Sequence, residues 1–270
     1  MIKSNFHTHT VFCDGADTPE ELVNEAVKKG FFALGFSGHS YFEPDSDVCM
    51  AEMAASRYRQ CVNLLKDRYK DKIKILCGVE QDYYSVSHIG VYDYVIGSVH
   101  SVLKNGVYLS VDASADTFSR NLNEFYSGDF DAFAEDYFAL VGNVVNKTNA
   151  DIIGHFDLIL KYSGHVGYTP TPRFLTAAER TVDKLIPFSR PFEINTGAMA
   201  RGARDVPYPI PEILKMIKDR GGKIVFSSDC HEKSRLDFGF DIAEAIAKEI
   251  GFTEHGIITE KGVEYIPISI

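Results

Sequence analysis

The sequence has no means of stapling itself together. Its five cysteines (Cys13, Cys49, Cys61, Cys77 and Cys230) are an odd number without a Cys-x-x-Cys pair. That excludes a disulfide framework and reads as reduced thiols in a cytoplasmic protein. No apolar run approaches the ~20 residues of a membrane span. The N-terminus lacks the basic stretch and apolar core of a secretory signal, so no membrane association is expected. Positive charge is short as well: 28 Lys and Arg stand against 38 Asp and Glu, a formal net charge of −10. A surface of that sign does not coat nucleic acid, and no nucleic-acid partner is expected. It still admits an anionic substrate, because bound divalent cations reverse the sign locally. Also missing are a Pro/Ser-rich linker and any low-complexity stretch, so residues 1–270 read as a single domain.

What is present is a long alternation of strand and helix patterns. At 270 residues, 45% apolar and 24% charged, the chain has an ordinary globular composition and can bury most of its unfolded surface. The first strand pattern, Met1 to Thr10, is followed by a capping box, Thr18-Pro-Glu-Glu21, which predicts a helix to about Lys29 ended by Gly30. The apolar run Phe31 to Phe36 predicts a strand buried on both faces. Further strands are expected at Ile73–Val79, Tyr92–Ser98, Asp151–Gly154, Pro191–Ile194 and Lys223–Ser228. Helices are expected after the acidic loop 41–49 to about Tyr69, and from about Asp116 to Lys147 with a break at Ser127-Gly128. Three more end near Leu185, run from Pro211 to Gly221-Gly222, and cover about 239–250 before a β-like tail. Residues 101–114, with the turn signal Asn105-Gly106, read as an irregular insertion, and 163–173 as a loop. Strand–helix alternation of this kind indicates a parallel sheet with helical crossovers.

Nearly every strand runs into a metal-ligand residue. His7 and His9 have i, i+2 spacing, which in extended chain aims both imidazoles at one point. Asp14 follows them, and His39, Glu80, His100, His155 and the pair Asp229 and His231 close later strands. An open doubly wound sheet collects ligands near one switch point. Ligands on almost all strand ends indicate a closed barrel, whose ends surround one mouth. The expected fold is therefore an α/β single-domain (β/α) barrel of seven units with the site at the C-terminal ends of its strands. Six histidines and three carboxylates without thiolate suit Zn, Mn or Fe. Nine ligands are too many for one ion and suit two or three divalent ions, with Glu80 free to bridge. Glu193 and Asn195, again i, i+2 at a strand end, read as partners that orient ligands. Cys13 and Cys230 read as small packing residues, and His88, His165 and His255 as solvated. The acidic loop Glu43, Asp45 and Asp47 reads as a solvated rim that can meet a cationic substrate group.

The order His7-x-His9, Asp14, Gly38-His39, Gly78-Val-Glu80, Gly97-Ser-Val-His100, Gly154-His155-Phe-Asp157, Glu193-Ile-Asn195-Thr196 and Ser228-Asp229-Cys-His231 resembles the PHP family, the polymerase and histidinol phosphatase superfamily. The resemblance covers essentially the whole chain and is strongest to the monofunctional histidinol-phosphate phosphatase branch. Val111-Asp112 after His100, and Pro207-Tyr-Pro209 with Pro211-Glu-Ile-Leu214 after Asn195, carry the branch assignment. It implies a distorted (β/α)7 barrel with a trinuclear metal site. By position, His7, His9, Glu80 and Asp229 would hold one ion, Glu80, His100 and His155 a second, and Asp14, His39 and His231 a third. Some relatives have His where this chain has Asp14. The branch often has Arg where this chain has Lys161, and Asn-Thr-Ser-Gly where this chain has Asn195-Thr-Gly-Ala-Met-Ala-Arg201. Both changes keep a positive charge, but lysine is a point charge without arginine's bidentate fork.

The resulting expectation is a phosphomonoesterase that converts L-histidinol phosphate to L-histidinol and inorganic phosphate. A hydroxide bridging two ions would attack, since metal coordination brings water's pKa toward ~7. Lys161, Arg201 and Asp112 would contact substrate, and Asp229 or His231 would protonate the leaving alkoxide. Other readings are a PHP-family phosphatase or phosphoesterase for another small metabolite or nucleotide, and a non-catalytic metal-stabilised module.

Overall fold

The computed structural model describes residues 2–268; Met1, at the head of the expected first strand, and Ser269 and Ile270, at the end of the tail, lie outside the described residues. In chain order the elements are β1 (Ser4–Asn5), α1 (Pro19–Lys28), β2 (Ala33–Phe36), α2 (Glu52–Tyr69), β3 (Lys74–Asp82) and β4 (Tyr94–Ser98). Then come β5 (Ser101–Lys104), β6 (Val107–Ser110), α3 (Ala115–Tyr126), α4 (Phe130–Val141), α5 (Val144–Thr148) and β7 (Ile152–Ile153). The chain continues with α6 (Pro172–Leu185), β8 (Phe192–Asn195), α7 (Gly197–Ala200), α8 (Pro211–Asp219), β9 (Ile224–Ser227), α9 (Phe240–Ile250) and the hairpin β10 (Glu254–Thr259) and β11 (Gly262–Pro267).

Seven strands pair in parallel in the order β1-β2-β3-β4-β7-β8-β9. The two ends of the sheet meet where Thr8 bridges Cys230 and the His9 amide donates to the Cys230 carbonyl at 2.9 Å. The result is the nearly closed (β/α)7 barrel that the strand–helix alternation predicts. Helices surround it, with Leu22, Val23 and Ala26 of α1 and Phe174, Ala178 and Val182 of α6 turned inward. The capping box is made in full: Thr18 Oγ1 accepts from the Glu21 amide, and Glu21 accepts from the Thr18 amide. No described helix is long and apolar enough to cross a membrane.

The barrel interior is filled by Phe6, Ala33, Leu76, Tyr94, Ile96, Ile152, Val225 and Ile258. Tyr94 is the central plug. Its hydroxyl donates to the carbonyls of Phe6 (2.6 Å) and Phe36 (3.0 Å), which satisfies a polar group far from water. It fits because glycines face it: a Cβ at Gly35 or Gly78 would lie 2.3 Å from a Tyr94 side-chain atom. The tail hairpin supplies Ile258 to this interior, with Ile257 and Val263 packed against it.

Some expectations are corrected. The regular first strand is only Ser4–Asn5, and beyond it Thr8 alone forms an isolated bridge. Residues 101–114 hold an ordered hairpin, β5–β6, and Asn105 and Gly106 take the positive φ values (52° and 80°) that a tight hairpin turn needs. The helical stretch breaks a second time at Gly142 and Asn143, between α4 and α5. His255 is buried, not solvated: β10 carries it against Phe226, ring centroids 5.3 Å apart. That contact joins the tail to β9, which no local pattern reveals.

The plug makes a test. Gly78→Ala forces a methyl into the Tyr94 ring between two paired strands, so we expect about 1–3 kcal/mol of destabilisation, the usual cost of overpacking. Denaturant unfolding of the variant checks this, and an unchanged midpoint refutes the plug.

Candidate metal centre

The carboxyl ends of the barrel strands bring all nine predicted ligands to one mouth. β1 leads to His7 and His9, β2 to His39, β3 ends in Glu80 and Asp82, β4 leads to His100 and β7 to His155. β9 leads to Asp229 and His231, and Asp14 comes from the turn after His9. His7 and His9 lie at the bottom, fully buried, and the others line a cleft of about 380 Å³ above them. Asp229 has a left-handed backbone (φ 47°), which Asp tolerates better than most residues. Arg201 secures it, donating to the Asp229 carbonyl and to Oδ2, each at 3.2 Å. Gly197 makes room: a Cβ there would stand 2.8 Å from Asp229 Oδ2.

Glu80 is the hub. Its Oε1 lies 3.2 Å from His100 Nε2 and 2.9 Å from His155 Nε2. Its Oε2 lies 3.2 Å from His7 Nε2, 3.6 Å from His9 Nε2 and 2.9 Å from His39 Nδ1. Asp229 Oδ1 approaches His9 Nε2 at 3.1 Å and His7 Nε2 at 3.6 Å. Nearer the rim, Asp14 meets His231 Nε2 at 3.0 Å, His9 Nδ1 at 3.5 Å and His39 Nε2 at 3.7 Å. Three sets of ligand atoms come within 4.8 Å of one another: His9, Asp14, His39 and His231; His7, His9 and Asp229; His39, Glu80 and His100.

The donor set fits a divalent cation. His7 Nε2, His9 Nε2 and Glu80 Oε2 are buried side by side, yet none has a hydrogen-bond partner. His7 Nδ1 pairs with Glu193 Oε1 at 2.6 Å, so its Nε2 presents a lone pair to the common point. His100 Nδ1 pairs with Asp82 in the same way at 3.1 Å. Electrostatics agree. Burial alone would raise the Glu80 carboxyl, but His7, His39 and His100 outweigh it and hold it well below the carboxylate range. Asp229 is held low against burial by His7, Arg201 and His9. Burial would lower His7 and His100, but Glu193 and Glu80 around the first, and Glu80 and Asp82 around the second, push both well up. His9 goes the other way, down to about 3, because burial is reinforced by His231 and His39. Burial pushes the thiols of Cys13 and Cys230 up to about 12, so they stay protonated and pack, as read from the sequence.

The substrate candidates also reach the cleft. Lys161 donates to the Asp112 carbonyl at 2.9 Å and lies 3.7 Å from its carboxylate. Arg201 additionally faces His231 Nδ1 at 3.2 Å. The acidic loop divides: Glu43 and Asp47 are exposed, whereas Asp45 lines the cleft. His88 and His165 are exposed, as expected. Glu193 orients His7, and Asn195 in turn holds Glu193 at 3.0 Å. Sequence reasoning missed Asp82. Its signal was the i, i+2 spacing from Glu80, hidden because the expected strand stopped at Val79 and the observed one runs to Asp82.

A (β/α) barrel that gathers histidines and carboxylates at the carboxyl ends of its strands defines a metal-binding barrel protein. The PHP domain model matches residues 5–197, and the chain belongs to that family. Histidinol-phosphatase of Bacillus subtilis (strain 168) is 24% identical over 264 residues, spanning 89% of this chain and 98% of that protein. Histidinol-phosphatase of Lactococcus lactis subsp. lactis (strain IL1403) is 26% identical over 281 residues, spanning 98% of this chain and 96% of that one. A crystal structure of histidinol phosphate phosphatase from Lactococcus lactis subsp. lactis Il1403, complexed with zinc, L-histidinol and phosphate, matches with a TM-score of 0.71. It covers 98% of this chain and 100% of its own at 22% identity, a likeness of fold.

The coupled charges predict a pH response. In the metal-free protein, Glu80 and Asp229 fall below their ordinary values of 4.5 and 3.8, so their contribution to stability is present above those values and lost as pH falls. His7, His39 and His100 rise above 6.5, so theirs is present below 6.5 and lost as pH climbs through the raised values. A divalent cation needs those imidazoles free of protons, so Zn²⁺ should raise the melting temperature more at about pH 8 than at about pH 6. Melting curves of chelated and reloaded protein test this. A larger shift at the lower pH overturns the assignment of these histidines as ligands.

Proposed function

We propose that the protein, acting as one barrel domain over residues 1–270, hydrolyses L-histidinol phosphate to L-histidinol and inorganic phosphate in the histidine biosynthesis of the cytoplasm. The observation that carries this is a cleft offering counter-charge to both ends of that substrate. Lys161 and Arg201 line it for the phosphate, and Asp45, Asp82 and Asp112 line it for a cationic amine or imidazole. A sugar or nucleotide monoester would bring no cation to those carboxylates. Kinship with proteins named histidinol-phosphatase along nearly their whole length supports the same substrate.

The reading takes two or three divalent ions, Zn, Mn or Fe. His7, His9, Glu80 and Asp229 hold one, Glu80, His100 and His155 a second, and Asp14, His39 and His231 a third. The two oxygens of Glu80 support the first two sets, since Oε2 faces His7 and His9 while Oε1 faces His100 and His155. Cations held there supply Lewis acidity, neutralising phosphoryl oxygens and making hydroxide available near neutral pH. Arg201 can offer phosphate two parallel N–H groups, whereas Lys161 offers a compact charge kept in the cleft by Asp112. Because Asp229 is held ionised, the proton for the leaving alkoxide is better carried by His231. His231 would serve in that role only with its Nε2 free of metal.

Turnover of a panel of phosphomonoesters by metal-loaded protein tests the substrate. We expect kcat/KM for L-histidinol phosphate to exceed that for esters lacking an amine, and equal turnover of both overturns the reading. Two variants test the site. Glu80→Gln should lower kcat by about 10²-fold or more, comparable with loss of a preorganised charge. Lys161→Ala should lower kcat/KM by about 10- to 100-fold, the worth of a charge-assisted hydrogen bond. Its bound metal should not change, because Lys161 touches Asp112 and none of the nine ligands. Unchanged kcat/KM shows that the ions and Arg201 hold the phosphate alone.

A further inference from the structure

His155 stands apart from the other deep histidines. Its Nε2 lies 2.9 Å from Glu80 Oε1, as a ligand's would, and the residue is 2% exposed. The outer nitrogens of His7, His100 and His231 meet Glu193, Asp82 and the Asp229 carbonyl at 2.6, 3.1 and 3.0 Å. The outer nitrogen of His155, Nδ1, has no protein partner. Three more buried polar atoms without partners are Asp157 Oδ1, Arg204 Nη1 and Tyr208 OH. They belong to one neighbourhood. The Tyr208 ring lies 6.4 Å from the His155 ring at 69°, the Arg204 guanidinium sits over the Tyr208 ring at 4.7 Å, and both His155 and Arg204 act on the charge of Asp157.

Four orphans in one place call for a shared partner, since each buried polar group left alone costs about 1–3 kcal/mol. Their chemistry matches what enclosed water needs. His155 Nδ1–H and Arg204 Nη1–H donate, Asp157 Oδ1 accepts, and Tyr208 OH does either. The frame is fixed. Asp157 Oδ2 accepts from the Ile210 amide at 2.9 Å, and Tyr208 exchanges backbone hydrogen bonds with Asn195 at 2.8 and 2.9 Å. Both Asp157 and Tyr208 are fully buried.

We infer that Asp157, Tyr208 and Arg204 are the positioning residues of His155, reaching its Nδ1 through enclosed water and so holding its Nε2 toward a metal position beside Glu80. The assembly is a water-extended version of the direct Glu193–His7 and Asp82–His100 pairs. It rests on the reading of His155 as a metal ligand.

The test uses the full chain as wild type, Tyr208→Phe and Asp157→Asn, with circular dichroism to establish that each is folded. Partners of this kind usually change metal affinity or activity by about 10–100-fold. We therefore expect zinc affinity, measured by chelator competition, to weaken by about that factor in Tyr208→Phe, with kcat falling and KM steady. Folded variants with wild-type zinc affinity and kcat overturn the inference. The side-chain nitrogen-15 spectrum of zinc-loaded wild type decides independently of folding in the variants: His155 should carry a proton on Nδ1, protected from solvent. An Nδ1 proton that exchanges freely with solvent overturns the inference. Failure of the wild type to bind zinc at all overturns the metal-centre reading and, with it, the inference that rests on it.

Discussion

A buried carboxylate without a fixed cation governs this molecule. Glu80 is 1% exposed, and among the described residues its ion-pair contacts are all imidazoles: His7, His9, His39, His100 and His155. Taking an ionised carboxylate out of water costs several kcal/mol after relaxation. Its counter-charge must therefore come from protons on those imidazoles or from metal ions between them. Five histidines from four strand ends converge on one glutamate only if the strands close into a ring. Closure in turn needs a filled interior, which Tyr94 provides beneath Glu80 by stacking into the space left by Gly35 and Gly78. The electrostatics of the cluster and the packing of the barrel thus meet at Gly78 and Glu80, two residues apart on β3.

The outer carboxylates do a different task. Glu193 accepts from His7 Nδ1, the His155 amide, Asn195 Nδ2 and Ser227 Oγ, so every one of its lone pairs is directed into the scaffold. It ties the ends of β1, β7, β8 and β9 to a single charge. Asn195 passes the order on: its Oδ1 accepts from the Gly197 amide at 2.8 Å, where α7 begins, and α7 leads to Arg201 on Asp229. The position of Arg201 in the cleft is therefore coupled to the same network that orients His7. A change at Glu193 or Asn195 reaches the cleft without touching substrate.

The parts of this arrangement that could be read in the sequence are those with a local period. Alternating strand and helix patterns and ligand residues after each strand sufficed for the barrel and for the nine side chains at its mouth. The i, i+2 spacing of Glu193 and Asn195 revealed their orienting role for the same reason. What escaped is nonlocal. His255 looked solvated because nothing in the tail says that it folds back on Phe226. Tyr208 and Arg204 lie in an irregular segment whose relation to His155 exists only once β7 and β8 are adjacent. Asp82 was a boundary error: β3 runs to Asp82 because it keeps pairing with β4 as far as Ser98.

Depth separates the ligands further. His7, His9 and Glu80 are shut away from solvent, and their facing atoms have no hydrogen-bond partners. Asp14 and His231 have side chains 25% exposed and already satisfy each other, Nε2 to Oδ2 at 3.0 Å, while His231 Nδ1 meets the Asp229 carbonyl. An ion entering the deep set meets buried atoms that no hydrogen bond satisfies, but it must displace the proton that Glu193 and Glu80 favour on His7. An ion entering the rim set must first break a sound hydrogen bond and displace water. The same residue types therefore meet different competitors according to depth, protons at the buried bottom and a hydrogen bond and solvent at the rim. His231, at the edge of the cleft and beside Arg201, thus joins the buried cluster to solvent.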